Sequence, residues 1–241
     1  MTENNSPRLA VLIDADNASS RIVDGLFEEI AKIGEASVRR IYGDFTSTRL
    51  KTWTEVLAKH AIMPHQNFAM TTGKNASDIA LVIDAMDLLL SGRFDGFCLV
   101  SSDSDFTRLA ARIREQGIDV FGFGETKTPE SFRQACHRFI YTENLISNDG
   151  EAPAPTVTKS KRPIAAATEL IKKAISQLDN ENGWISLSLV GKQLSALASD
   201  FDPRTYGHTK LSDLAIKTKA FEMKRSDSGG IYIRSNGSSS E

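Results

Sequence analysis

A five-residue apolar run, Leu9-Ala10-Val11-Leu12-Ile13, breaks abruptly into Asp14-Ala15-Asp16-Asn17. No other stretch limits the possible folds as tightly. An apolar run without polar alternation reads as a short strand buried on both faces. Ser19-Ser20 follow, and then Ile22, Val23, Leu26, Phe27, Ile30 and Ile33 repeat at helical spacing up to Gly34. The pattern is strand, acidic loop, helix, with a serine placed to cap and a glycine to stop.

The same alternation recurs down the chain. Strand-like runs lie at 36–42, 61–65, 96–101 and 118–123, separated by helical patterns around Trp53, from Ser77 to Leu90, and from Phe106 to Ile113. A helix near Ser131 to Arg138 is expected to end the unit. Strands and helices at this spacing predict a three-layer α/β domain with a parallel central sheet. In such sheets ligands bind just beyond the carboxyl ends of the strands. Asp14 and Asp16 fall at that edge, with their side chains on one side if the backbone stays extended.

The organisation changes after residue 146. Gly150, Pro153, Pro155 and Pro163 among Ala, Thr, Ser and Lys predict a linker over 147–163. Three helical patterns follow, over 164–178, 189–197 and 209–216. Two short strands around a Ser-Asp-Ser-Gly-Gly loop come next, so residues 164–235 predict a small winged helix. Residues 236–241 read as a disordered tail. Charge divides along the same line. From Glu151 onward 13 basic residues face 10 acidic ones, against 16 and 21 before it, which suits an acidic metal site followed by an anion-contacting module. No run is long enough to span a membrane, and Met1 to Pro7 lacks a signal-peptide pattern. Cys98 and Cys136 are far apart and form no CxxC, so a reduced, cytoplasmic setting is expected.

Three acidic clusters mark the chemistry. Asp14 and Asp16 follow the first strand, Asp103 and Asp105 follow the strand that starts near Phe97, and Asp78 opens the third helix. At about 100° per residue, Val82, Ala85, Met86 and Leu89 fall within about 80° of Asp78, which places it on the apolar face, aimed inward. Asp84 and Asp87 fall on the opposite side, where solvation explains them. Singly, Asp14 or Asp103 reads equally well as a helix N-cap, and Asp16 or Asp105 as a loop residue. Together, converging carboxylates repel one another unless a hard divalent cation neutralises them, and oxygen donors suit Mg2+ or Mn2+. The four histidines have no Cys at zinc-ligand spacing, and Gly73-Lys74 lacks the rest of a P-loop.

Four stretches in order then resemble a known family: Val11 to Asn17, Tyr42-Gly43-Asp44, Lys74 to Asp78, and Val100 to Phe106. They are similar to the signatures of NYN domains, PIN-like metal-dependent ribonucleases, in the LabA-like branch. The loop before Asp78 reads Lys74-Asn75-Ala76-Ser77 where Lys-Gly-Val is more usual. The chain after Arg162 resembles an OST-HTH/LOTUS domain, a winged helix associated with RNA and with protein partners. The resemblance implies hydrolysis of RNA phosphodiesters, with Asp14, Asp78, Asp103 and Asp105 holding one or two Mg2+ or Mn2+ ions. Asn17 and Asp16 would orient the metal ligands or a phosphate oxygen, and Lys74, Arg49 and Ser102 are further candidates for phosphate contact. Lys210, Lys217, Lys219, Lys224 and Arg225 could track an RNA backbone, and Tyr232 could stack on a base. Two other readings stay open. One is a non-catalytic RNA-binding scaffold. The other is a haloacid-dehalogenase-type phosphatase with Asp14 as nucleophile and Asp16 as acid.

Overall fold

A computed structural model describes residues 6–67, 76–146, 162–178, 183–226 and 229–236. The chain divides into two compact units, Met1–Ala152 and Pro153–Glu241. In the first, β1 (Arg8–Asp14), α1 (Val23–Ala31), β2 (Glu35–Gly43), α2 (Lys51–Leu57), β3 (Met63–Gln66), α3 (Ala76–Leu90), β4 (Gly96–Val100), α4 (Thr107–Glu115), β5 (Asp119–Gly124), α5 (Glu130–Ala135) and β6 (Arg138–Tyr141) follow one another. All five strand pairings are parallel, in the order β3-β2-β1-β4-β5-β6. Helices cover both faces, which gives the expected three-layer α/β domain.

The apolar run of β1 shows why no alternation was visible. Leu9, Val11 and Ile13 pack with Val23, Leu26 and Ile30 of α1 and Trp53 of α2. Ala10 and Leu12 point the other way, against Leu81, Ala85 and Leu88 of α3 and Phe106 beside α4. Both faces are covered, so both sets must be apolar. The period of two also puts Asp14 on the same side as Ala10 and Leu12, towards α3.

Three expectations need correction. The last helix stops at Ala135, and Arg138 instead starts a sixth strand whose register runs from Phe121↔Arg138 to Gly124↔Tyr141. Asp84 is not a solvated surface residue, because it accepts hydrogen bonds from the Tyr42 hydroxyl at 2.6 Å and the Arg40 guanidinium at 2.8 Å. Its position follows from the helix. α3 is apolar nearly all round, but only Leu81, Ala85 and Leu88 are buried, while Ile79, Ile83 and Leu90 are exposed. The packed side is therefore rotated from the one that apolar counting picks, which brings Asp84 to one flank and leaves Asp78 half-buried on the other. Finally, the turn at 15–17 ends the extended backbone, so Asp14 is buried while Asp16 is exposed.

The second unit comprises α6 (Ile164–Ser176), β7 (Ile185–Ser186), α7 (Leu187–Leu197), α8 (Leu211–Thr218), β8 (Phe221–Arg225) and β9 (Ile231–Ser235). Its antiparallel sheet, in the order β7-β9-β8, packs Ile185, Phe221 and Ile233 against Ile171, Val190 and Leu194. The helices and hairpin are those expected. The short strand β7 is an addition, too brief for a sequence pattern. Asn236, expected in the tail, donates through its side chain to Lys219 O at 2.9 Å. The linker residues 147–161 and the tail beyond Asn236 lie outside the described residues, as does Lys74. Cys98 and Cys136 are free and buried. Among the described residues no helix is long and apolar enough to cross a membrane.

Candidate active site

The strand order runs outward in both directions from β1 and β4, so the chain reverses its direction of travel between these two neighbours. Loops leaving adjacent strands on opposite courses open a crevice at their carboxyl ends. Asp14 ends β1 on one side of that crevice, and Asp103 follows β4 on the other.

A hydrogen-bonded chain joins the two. Asp14 is 1% exposed, and its Oδ2 accepts from the Ser101 hydroxyl at 2.7 Å and the Asn17 amide at 2.9 Å. Its Oδ1 accepts from the Asp16 N–H at 3.1 Å. Ser101 Oγ in turn accepts from the Asp103 N–H at 3.1 Å, and Asp103 Oδ1 from the Asp105 N–H at 2.9 Å. Asp103 is thus also the N-cap of the 3-10 turn Ser104–Phe106. Asp14 caps no helix, because the first helical turn starts at Ser20 and is capped by Ser19. Desolvation raises the Asp14 pKa, against the lowering effect of its Ser101 and Asn17 hydrogen bonds.

Asp78 reaches the cluster from the first turn of α3. Its pKa is pushed up to about 6, first by partial burial and then by Asp14, Asp103, Asp16 and Asp105 in turn. Four carboxylates raising the pKa of a fifth is the electrostatic consequence of convergence. On the rim, Ser77 Oγ donates to Asp16 Oδ2 at 3.4 Å, and Arg49 Nη2 stands 3.8 Å from Asp16 Oδ1. Beside them lies a cleft of about 210 Å3 lined by Asp16, Ser19, Arg49 and Trp53. The Trp53 indole is buried there and donates to Ala18 O at 3.0 Å.

The sequence candidates therefore separate. Asp14, Asp16, Asn17, Asp78, Asp103 and Asp105 form one neighbourhood, with Arg49 at its edge. Ser102 is turned to another task, its hydroxyl accepting the Glu125 N–H at 2.9 Å and tying the β4 loop to the end of β5. Sequence reasoning passed over Ser101, the hydroxyl that meets Asp14. Strand parity would have found it, because Ser101 continues Phe97 and Leu99 on the face that Asp14 shares. In the second unit Lys210, Lys217, Lys219, Lys224 and Arg225 are all exposed.

By donor type the neighbourhood suits a hard divalent ion. It consists of carboxylate oxygens in mutual repulsion, with no thiol or imidazole among them. Among the described residues, no three His, Cys, Asp or Glu side chains stand close enough as placed to hold one ion.

The profile of the NYN domain matches residues 8–146, and that of the OST-HTH/LOTUS domain matches residues 160–233. No curated protein matches the chain. Among solved structures, a protein of unknown function from Vibrio parahaemolyticus is 18% identical over 62% of this chain and 98% of its own, with a TM-score of 0.48. An uncharacterised protein from Nitrosomonas europaea is 28% identical over 39% of this chain and 96% of its own, with a TM-score of 0.28. At these scores neither likeness bears on function. The NYN match spans more than half of the chain and contains the whole carboxylate neighbourhood, so this chain belongs to the NYN domain family, within the PIN-like nuclease superfamily, and carries an OST-HTH/LOTUS domain behind it.

Proposed function

We propose that the chain is a metal-dependent ribonuclease, with an active site in the first unit and an RNA-holding module in the second. The observation that supports this most is the hydrogen-bonded chain from Asn17 through Asp14 and Ser101 to Asp103 and Asp105, laid across the crevice between β1 and β4. It fixes two carboxylates from separate strands in one place before any ligand arrives. Asp14, Asp78, Asp103 and Asp105 would hold Mg2+ or Mn2+, which when bound supplies an activated water and neutralises charge on the phosphate. Ser101 and Asn17 restrict the rotation of the Asp14 carboxylate. Arg49, 3.8 Å from Asp16, is the cation available to a phosphate there.

A phosphatase with Asp14 as nucleophile is disfavoured, because it leaves without a role Asp78, whose pKa burial and the neighbouring carboxylates raise. A non-catalytic RNA-binding scaffold has one observation in its favour, the spacing of the carboxylates noted above. The discriminating assay mixes purified protein with single- and double-stranded RNA in Mg2+, Mn2+ or EDTA. Cleavage that needs metal and disappears in Asp103→Asn supports the nuclease. Cleavage indifferent to EDTA overturns the metal role, and RNA binding without cleavage under any condition establishes the scaffold.

A further inference from the structure

The β7-β9-β8 sheet has two faces with different chemistry. Ile185, Ile233, Met223 and Phe221 point towards the helices. The register pairs Ser186 with Tyr232 and Tyr232 with Lys224, and it pairs Arg234 with Glu222. One step back along β7, Trp184 falls beside Arg234. The outer face is therefore two rows, Trp184-Arg234-Glu222 and Ser186-Tyr232-Lys224.

Cations lie against the rings of this face. Lys224 Nζ is 4.4 Å from the centre of the Trp184 ring and 6.0 Å from that of Tyr232. Arg234 Cζ is 4.7 Å from the same Trp184 ring. Gly183 has φ +76, and a Cβ there would lie 3.4 Å from Arg234 Cδ, so the arginine stem runs alongside the glycine. Arg234 is paired with Glu222, whereas Lys224 has no carboxylate partner among the described residues. The core beneath is closed without Trp184, which is half-buried on the outer side.

We propose that this outer face is a stacking platform for single-stranded RNA. The proposal rests on the RNA reading above and gives it a surface. Half-exposed aromatic rings offer faces to unpaired bases, and the guanidinium plane of Arg234 is itself a surface on which a base stacks. Lys224, beside both rings, is placed to meet the phosphate that follows a stacked base. A duplex keeps its base faces inside the helix and is recognised through phosphates and 2′-hydroxyls, so it gains nothing from these rings.

The test uses the full-length chain in EDTA, with fluorescence anisotropy on a labelled single-stranded RNA and on the same sequence as a duplex. Trp184→Ala and Tyr232→Ala should each weaken single-strand binding roughly ten- to hundredfold, and Trp184→Phe should largely restore it. Lys224→Ala should reduce the salt slope by about one. Melting curves check that each variant is folded, and Tyr232→Ala with Lys224→Ala carry the test if Trp184→Ala does not fold. Wild-type RNA binding unchanged in these variants would overturn the platform and leave the RNA reading standing, as would duplex binding equal to that of the single strand. Absence of RNA binding by the wild type would overturn both.

Discussion

The two units gather opposite charges, and they hold them differently. At the β1–β4 crevice carboxylates are partly desolvated and close enough to raise the pKa of Asp78, so the first unit carries an electrostatic cost in its folded state. On the outer sheet face of the second unit the cations keep contact with water and lie on aromatic rings, where such contacts stabilise by about 0.5–1 kcal/mol. A strained, preorganised cluster is suited to rate, and a solvated, rim-like one to affinity. Metal dependence should follow the first unit and salt dependence the second.

The largest expected effect breaks the comparison on the acidic side. Asp14→Asn or Asp103→Asn should lower RNA cleavage by on the order of a hundredfold or more while RNA affinity in EDTA stays within about twofold. Single-turnover rates and anisotropy on the same preparations measure both. Cleavage within threefold of wild type in the two variants, with contaminating nuclease excluded, would remove the active-site assignment.

Next comes the tether. A chain ending at Ile146 should raise the apparent KM roughly tenfold or more and leave the rate at saturating RNA nearly unchanged, because the second unit acts by raising effective concentration. An unaltered KM would point instead to a protein partner for that unit.

Tyr42→Phe addresses how the acidic site is held. The buried Tyr42 hydroxyl donates to Asp84 on α3, the helix whose first turn carries Asp78. Burial and the Asp84 carboxylate both push the phenol pKa up, so it stays a donor at any working pH. Losing this bond should cost about 1–3 kcal/mol in denaturant unfolding, while Arg40 keeps Asp84 paired. A stability equal to that of the wild type would show that the contact does not anchor α3.

The smallest effect is a pH signature in metal-free buffer. The folded pKa of Asp78 is raised from 3.8 to about 6, so its protonated form favours the native state. That contribution is full below about pH 4 and disappears as the pH rises through about 6. Asp78→Asn lacks the titration, so its Tm relative to wild type should climb across this window, and added Mg2+ should raise the Tm of wild type more than that of the variant. A Tm difference that is flat from pH 4 to 7 would mean that the carboxylates do not converge.

What could be read from the chain follows a physical rule. Apolar periodicity is local, and it sufficed for most of the alternating elements; acidic strand ends are local too, and they picked out Asp14, Asp78, Asp103 and Asp105 as candidates. The sixth strand was missed because Arg138–Tyr141 is four residues long, and only pairing with β5 makes it a strand. Ser101 and Asp84 were missed for a different reason. Strand parity puts Ser101 on the face of Asp14 but gives no hydrogen bond until β1 and β4 are neighbours, and a helix that is apolar nearly all round does not announce which side will pack. In the second unit Lys224 and Tyr232 were legible singly, but not their placement beside Trp184 and Arg234, since Trp184 and Lys224 are forty residues apart and are brought together across β9. By itself the sequence determined all but the shortest strands and which carboxylates stand at the ends of β1 and β4 and at the start of α3. Which way each helix turns, and which side chains therefore share a hydrogen bond, was decided by tertiary packing, because that choice depends on the shape of a neighbouring surface that no local pattern encodes.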